Sequence, residues 1–160
     1  MKYTILASCL LFFHLSSAQG SNEEVITFID NWHKAATEAN SKIFFGSMST
    51  NTIYIGTDAS ERWTMEEFRS FAQPYFDRGK AWDFVPFDRS IQHYENTIWF
   101  SELLHTWMGV CRGSGIIINE KGSLKIAQYH LSVTVPNDII QDFIGLVENS
   151  SKVTSDEPEK

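Results

Sequence analysis

The fold is decided by residues 111–137, CRGSGIIINEKGSLKIAQYHLSVTVPN. Two runs rich in β-branched residues flank the segment 119–122, whose Asn and Gly are typical of a tight turn. Pro136 ends the second run, because proline has no backbone N–H to donate to a sheet. The stretch therefore predicts a β-hairpin in which polar groups such as Arg112 and His130 lie among residues typical of a core.

The chain before this hairpin begins with helical patterns. Residues 21–24 (SNEE) and 64–67 (TMEE) are capping boxes, and each is followed by apolar residues at helical spacing. A short second helix is predicted to end near Gly46, and residues 138–148 fit a short C-terminal helix. We therefore expect three helices before the main strands and one after them.

Extended patterns dominate the rest. A strand over 52–56 and a short return strand over 61–63 precede the third helix, and strands over 82–94 and 98–104 follow it. Pro86 predicts an edge strand or a bulge. Helices and strands are thus segregated along the chain, which predicts an α+β fold with helices on one face of a curved antiparallel sheet.

The first 18 residues are predicted to be a signal peptide. Lys2 precedes an apolar segment over 5–15, and small residues precede a cleavage position after Ala18. Lipidation at Cys9 is the alternative, since residues 6–9 resemble a bacterial lipobox. Cleavage would leave Cys111 as the one cysteine, so no disulfide could form within the chain. We expect export to the periplasm or the medium, and a polar, disordered tail over 149–160.

Composition narrows the class of protein. A chain of 160 residues with 42% hydrophobic and 14% aromatic residues suits one domain with a real core. Its net charge of −7 argues against a nucleic-acid partner. The histidines lack metal-ligand spacing and no phosphate-binding glycine motif occurs, so neither a metal nor another cofactor is expected.

The order of elements and several segments resemble the SnoaL-like branch of the nuclear transport factor 2 (NTF2-like) superfamily. The resemblance covers residues 22–137, and the family usually has Trp where this chain has Leu124. The similar segments are IDNWHKAA at 29–36, YIGTDASERWT at 54–64, EEFRSFAQPYF at 66–76, RGSG at 112–115 and LKIAQYHLSV at 124–133.

The resemblance implies a cone-shaped NTF2-like fold, in which the sheet wraps around the long helix and leaves a pocket. Members include steroid isomerases, polyketide cyclases, dehydratases and non-catalytic binding domains, and homodimers are common among them. Fold alone does not choose among these functions.

Alternation along the last strand predicts which residues face the pocket. If Lys125 faces solvent, the pocket face carries Leu124, Ile126, Gln128, His130 and Ser132. The opposite face carries Ala127, Tyr129, Leu131 and Val133, which are also apolar enough to need a cover. A second subunit would supply that cover in a homodimer, and a C-terminal helix that folds back is the alternative.

His130 is the candidate general acid or base, because the ordinary pKa of histidine lies near neutrality. The alternative is a core histidine that serves only in hydrogen bonding. Arg112 is the candidate partner for a substrate anion. If the preceding turn is centred on Trp107, Glu102 lies opposite Arg112, so a structural salt bridge is the alternative.

Further candidates, either for the pocket wall or for the core, are Tyr54, Trp63, Trp82 and Trp99. Asp58 and Glu61 could close the mouth of the pocket, although turn formation explains Asp58 equally well.

Asp30 and His33 share one side of the first helix. This carboxylate–imidazole pair either acts as a catalytic base or is a solvated edge of the helix. The lack of one decisive acid–base constellation favours a non-catalytic pocket for a small, mostly apolar or aromatic ligand. The alternatives are an enzyme of the isomerase, cyclase or dehydratase type that uses His130, and a structural dimerisation module.

Overall fold

The computed structural model describes the backbone of residues 21–155 and the side chains of residues 21–150. The predicted signal peptide lies outside the described residues. The described part contains α1 (Asn22–Thr37), α2 (Ser41–Gly46), β1 (Met48–Ile55), β2 (Arg62–Thr64), α3 (Met65–Asp77), β3 (Val85–Tyr94), β4 (Thr97–Thr106), β5 (Gly109–Glu120), β6 (Ser123–Val133), a 3₁₀ turn (Asn137–Ile139) and α4 (Ile140–Ser155).

The strands form one curved, unclosed sheet in the order β2-β1-β6-β5-β4-β3. Neighbouring strands are antiparallel except for β1 and β6, which run parallel. The helices α1 to α3 pack on one face. The predicted α+β class, with N-terminal helices on a curved sheet and a C-terminal helix, is confirmed.

The helices begin where their capping residues predict. The Thr64 hydroxyl accepts a hydrogen bond from the Glu67 backbone N–H, and the Glu67 carboxylate accepts from the Thr64 N–H, so both halves of a capping box are present. At α1 the Ser21 hydroxyl forms one half of such a box, since it accepts a hydrogen bond from the Glu24 N–H at 3.3 Å. These caps satisfy backbone N–H groups that have no partner inside a helix.

The predicted hairpin is present as β5 and β6. Lys121 and Gly122 adopt positive φ angles of 54° and 84°, as a two-residue hairpin turn requires. The Asn119 side-chain oxygen accepts a hydrogen bond from the Gly122 N–H at 2.9 Å and fixes the turn.

A β-bulge in β6 reverses the predicted alternation. Ile117 pairs with Ile126 but Ile116 pairs with Gln128, so Ala127 is an extra residue on this strand. Ile126 faces the core as expected, and after the bulge Tyr129 and Leu131 face it instead.

The predicted pocket face is therefore correct for Leu124 and Ile126, which contact the core, and wrong beyond the bulge. Gln128, His130 and Ser132 lie on the outer face of the sheet, away from the helices. Tyr129 and Leu131, predicted to lie on the outer face, belong to the core.

The register between β4 and β5 also differs by one residue from the prediction. Thr106 pairs with Gly109 across a two-residue turn, so Glu102 pairs with Gly113 and Leu103 pairs with Arg112. A shift of one residue moves a side chain to the opposite face of a sheet. Glu102 therefore points into the core and Arg112 points outward.

Aromatic side chains fill the interior beneath α1. The largest of these are at most 1% exposed: Trp32, Phe44, Phe68, Phe100 and Tyr129. Glycines in β5 make room for two of them. A Cβ atom on Gly115 would lie 2.6 Å from the Phe100 ring, and one on Gly113 would overlap the Tyr129 hydroxyl. The GSG segment thus serves close packing.

The outer face of the sheet and the last helix keep apolar residues in contact with solvent. Trp99 on the outer face is 42% exposed, so α4 leaves it uncovered. Helix α4 runs to Ser155, past the boundary expected at residue 148, and residues 156–160 lie outside the described part. No helix within residues 21–155 combines the length and the apolar character needed to cross a membrane.

Candidate functional site

An aromatic pocket of about 160 Å³ lies between α3, the end of β1 and the turn between β4 and β5. We call it the aromatic pocket throughout. Its lining consists of Tyr54, Gly56, Thr57, Glu61, Trp63, Phe68, Phe71, Trp82, Phe84, Trp107, Met108 and Leu131.

Ring stacking across two elements fixes one wall of the aromatic pocket. Tyr54 on β1 stacks on Phe68 of α3 with ring centroids 3.7 Å apart. Trp63 on β2 stacks on Phe71 of α3 at 4.7 Å. Because Tyr54 and Trp63 are directly paired across β1 and β2, the two stacks stand side by side and form a rigid wall.

Glu61 is the charged residue of the lining. The Gly56 N–H donates to the Glu61 carbonyl at 2.8 Å, and the Asp58 N–H donates to the Glu61 carboxylate at 3.1 Å. Gly56 leaves space for this carboxylate, since a methyl group there would overlap it. Burial raises the pKa of Tyr54, and the negative charge of Glu61 raises it further, so Tyr54 is neutral.

The rim of the pocket carries a tryptophan in contact with solvent. Trp107 lies in the two-residue turn between β4 and β5 and is 86% exposed. Its neighbour Met108 lies 4.0 Å from the Thr57 hydroxyl, measured to the sulfur, which links this turn to the loop that carries Glu61. A ligand in the pocket would therefore meet Trp107 at its outer side.

A second feature, which we call the buried charge chain, connects Asp30, Arg89, Glu102 and His33. The fully buried Glu102 carboxylate lies 2.6 Å from the His33 Nε2 and accepts a hydrogen bond from the Arg89 Nε at 2.7 Å. The Arg89 guanidinium also donates to Asp30 at 2.7 Å, and Asp30 is half exposed. The chain thus runs from the surface of α1 into the core.

The cation of this chain is held by its two carboxylates. Burial by itself would lower the pKa of Arg89, but the charges of Glu102 and Asp30 outweigh it and raise the pKa. Two other polar atoms nearby, the Tyr129 hydroxyl and the His33 Nδ1, are buried without a hydrogen-bond partner. Burial also raises the pKa of Tyr129, with smaller contributions from Tyr54 and Glu102.

His33 also reaches the edge of a surface groove of about 440 Å³ between α1 and the start of β3. Asp30, Lys34, Phe84 and Pro86 border the same groove. The predicted pairing of Asp30 with His33 is replaced by two different contacts, since Asp30 binds Arg89 and His33 binds Glu102. The prediction of a solvated helix edge is therefore wrong for His33, which is only 4% exposed.

The residues predicted for the site fall into three places. Tyr54 and Trp63 line the aromatic pocket. Glu102 lies in the buried charge chain and contacts Arg89 where Arg112 was expected. The outer face of the sheet carries the others, namely Trp99, Arg112, Gln128, His130 and Ser132.

On that outer face, Arg112 donates a hydrogen bond to the Ser101 hydroxyl at 2.8 Å, and His130 is exposed. The acid–base role of His130 and the anion-binding role of Arg112 stay predictions. Their assumed location in an interior pocket is wrong because of the bulge at Ala127 and the register of β4 and β5.

Sequence reasoning placed Glu61 at the pocket mouth but missed Trp107 as part of the pocket and Arg89 as the partner of Glu102. The density of aromatic residues over 63–84 was the available signal for the pocket. Arg89 gave none, because it binds residues 13 and 59 positions away. Within the described residues, no group of three or more His, Cys, Asp or Glu side chains is arranged to hold a metal ion.

Comparison with known proteins identifies the domain. The family model for the SnoaL-like domain matches residues 25–136. An NTF2-like protein from Cytophaga hutchinsonii is similar in structure, with 15% identity and a TM-score of 0.62 over 72% of this chain and 100% of that chain. A candidate ketosteroid isomerase from Parabacteroides distasonis aligns at 16% identity and a TM-score of 0.57, over 74% of this chain and 91% of that chain.

An NTF2-like protein of unknown function from Pseudomonas putida aligns at 8% identity and a TM-score of 0.61, over 72% of this chain and 87% of that chain. Identities this low establish a shared fold and leave the activity open. No curated protein matches the chain.

Proposed function

Because the chain belongs to the SnoaL-like domain family, we propose that it is an exported protein that binds a small, mostly apolar ligand in the aromatic pocket without converting it. One observation carries this proposal: seven of the twelve residues that line the pocket are aromatic. Pockets for small molecules are mostly apolar, with few polar groups that fix orientation. Glu61 and Thr57 supply such groups here.

The size of the pocket limits the ligand. A volume of about 160 Å³ is smaller than the ~300–1,000 Å³ typical of sites for drug-sized molecules. The ligand is therefore small, or only one end of it enters between Trp63 and Trp107. Beneath α1 the interior holds the buried rings of Trp32, Phe100 and Tyr129, which are at most 1% exposed.

The chemistry of the lining supports binding without turnover. Tyr54 and Glu61 are its titratable residues, and Tyr54 holds its proton because its pKa is raised. General acid–base catalysis needs a proton donor or acceptor poised near the operating pH, within reach of the substrate. The histidine nearest to such a role, His33, is bound to Glu102 in the core.

Isothermal titration calorimetry tests the binding proposal. The mature chain is titrated with phenol, indole and toluene as small aromatic probes, and Trp63→Leu is compared with Trp99→Leu. Trp63 lines the pocket and Trp99 lies on the outer face, so the first substitution abolishes saturable binding and the second leaves it. Saturation by none of the probes, or equal loss in both variants, contradicts the proposal.

Export is supported by the apolar segment over 5–15 and the small residues before position 19. N-terminal sequencing of the protein recovered from an expressing bacterium tests it. We expect the mature chain to begin at Gln19 and to lack a lipid. A chain that keeps Met1 in the cytoplasm, or that begins at a lipidated Cys9, would refute this form of the proposal.

We also propose that two copies associate through the outer face of the sheet. Trp99 is exposed there beside its strand partner Ile116 and the polar side chains of Arg112 and His130. An apolar centre with polar groups around it is typical of interfaces. Sedimentation equilibrium should give a dimer for the mature chain and a monomer for Trp99→Glu. A folded dimer that binds none of the probes would favour the structural dimerisation module instead.

An enzyme of the isomerase type is the second candidate, and the contact between His33 and Glu102 favours it. A carboxylate that orients an imidazole is a common arrangement for a general base. His33 borders the groove, and its Nδ1 has no hydrogen-bond partner. Loss of turnover in His33→Asn but not in His130→Ala would support catalysis from the groove. The reverse result would restore the role predicted for His130.

A further inference from the structure

We propose that the ligand of the aromatic pocket carries an alkylated ammonium group, which the aromatic rings surround and the Glu61 carboxylate neutralises. This inference rests on the proposed function of that pocket and names the chemical class of its ligand. It follows from the combination of rings and one carboxylate in the lining.

The charge of Glu61 calls for a cation. This side chain is only partly exposed and lies among aromatic rings. A carboxylate in such a place loses part of its hydration, and other polar contacts have to compensate for that loss. The Asp58 N–H supplies one hydrogen bond. None of the ion pairs formed within residues 21–150 includes Glu61. No basic side chain of this part of the chain therefore lies close enough to neutralise the Glu61 carboxylate directly.

The position of this carboxylate is built into the loop. Gly56 provides the space that it occupies, and backbone hydrogen bonds from Gly56 to Glu61 and from Glu61 to Asp58 close the loop at 2.8 and 3.0 Å. The charge acts on the pocket wall, since it contributes to the raised pKa of Tyr54. The loop and Gly56 therefore hold a carboxylate beside the wall of rings.

The rings supply the second half of the recognition. An alkylated ammonium is attracted to the faces of tryptophan, tyrosine and phenylalanine, most strongly to tryptophan, and sites of this kind enclose it in several rings. The lining offers Trp63, Trp82 and Trp107 and lacks lysine, arginine and histidine. Ligand binding would also explain why a tryptophan that is 86% exposed lies at the rim, because a bound head group would cover the Trp107 ring.

The test compares two probes of nearly equal shape by calorimetry. Choline carries the charged head, and its neutral tert-butyl analogue has a carbon atom in place of the nitrogen. We expect choline to bind at least roughly tenfold more tightly than the analogue, which is the scale of a desolvated cation–π contact. Glu61→Gln should remove most of this preference, while Glu66→Gln on the exposed side of α3 should leave it intact.

Trp107→Leu provides a second variant whose fold is safe, because this side chain is mostly in solvent. It should weaken choline more than the neutral analogue. Equal affinity for the two probes, or tighter binding of the analogue, overturns the ammonium inference and leaves the pocket proposal standing. If small aromatic probes bind and neither of these two does, the inference also fails alone. If nothing binds in the pocket, both proposals fail.

Discussion

Removal of Arg89 should expose the energetic cost of the buried charge chain. In Arg89→Met the apolar part of the side chain is kept, and the cation that binds both Glu102 and Asp30 is lost. Glu102 is fully buried and would keep its contact with the His33 imidazole. A buried carboxylate without its cation is the costly product of this substitution.

The magnitude follows from the exposure of the two partners. Glu102 is 0% exposed and Arg89 is 12% exposed, so solvent cannot replace the lost contact. Loss of one partner of a buried ion pair costs about 3–5 kcal/mol of unfolding free energy. With a urea m-value of about 2 kcal/mol/M, the midpoint of unfolding should fall by roughly 2 M.

Urea denaturation followed by circular dichroism measures this effect, and Arg112→Met is the matched control. Arg112 lies on the outer face of the sheet and is exposed. Among the described contacts its side chain binds only the Ser101 hydroxyl. Its substitution should change the free energy of unfolding by at most about 0.5 kcal/mol. The double variant Arg89→Met/Glu102→Leu should recover much of the loss, since no unpaired carboxylate remains in the core.

Two results would refute this reasoning. One is a midpoint for Arg89→Met that equals the midpoint for Arg112→Met. The other is a double variant that is less stable than Arg89→Met. That result would mean that packing rather than charge determines how much the buried charge chain contributes to stability.

Three further predictions concern stability. Tyr129→Phe removes a buried hydroxyl that has no partner, so the free energy of unfolding should stay equal or rise by up to about 1 kcal/mol in urea titrations; a large loss would indicate that this hydroxyl is bonded. Gly115→Ala should cost about 1–3 kcal/mol because its methyl group meets Phe100 and the Gln128 carbonyl, whereas Gly46→Ala meets nothing within 4 Å and should be nearly neutral; equal midpoints would contradict the close packing. Because the pKa values of Tyr54 and Tyr129 are raised in the folded state, the stability they contribute is complete below the ordinary tyrosine value near 10 and is lost as the pH rises towards their folded values; a flat stability profile above pH 10 would contradict their burial.

The sequence predicted the elements well where local rules decide them. The capping box at Thr64, the turn at Lys121–Gly122 and the edge position of the strand with Pro86 all occur as expected. Each depends on residues that are close in the chain, so a single sequence contains the relevant information.

The sequence failed to predict which face of the sheet a side chain points to where the strands depart from regular alternation. Ala127 forms a bulge without a sequence signal of its own, and it places His130 outward and Tyr129 inward. The two-residue turn before Gly109 did the same to Glu102 and Arg112, because a difference of one residue in register exchanges the two faces.

Long-range partners could not be predicted from one chain. The contact of His33 with Glu102 spans 69 residues, and that of Arg89 with Asp30 spans 59. The sequence predicted part of the aromatic pocket, since Tyr54 and Trp63 were candidates for its wall. Only the folded structure shows that the turn with Trp107 lies next to the loop with Glu61.

The central claim is that the aromatic pocket is the ligand site, and methyl NMR of the methionines tests it most directly. Met108 lines the pocket, whereas Met48 is buried in the core at 4% exposure and serves as an internal reference. Met108→Leu assigns the first signal. On titration with indole or choline, we predict a saturable shift of the Met108 methyl signal and none for Met48. A bound probe that leaves the Met108 signal unmoved would contradict the account.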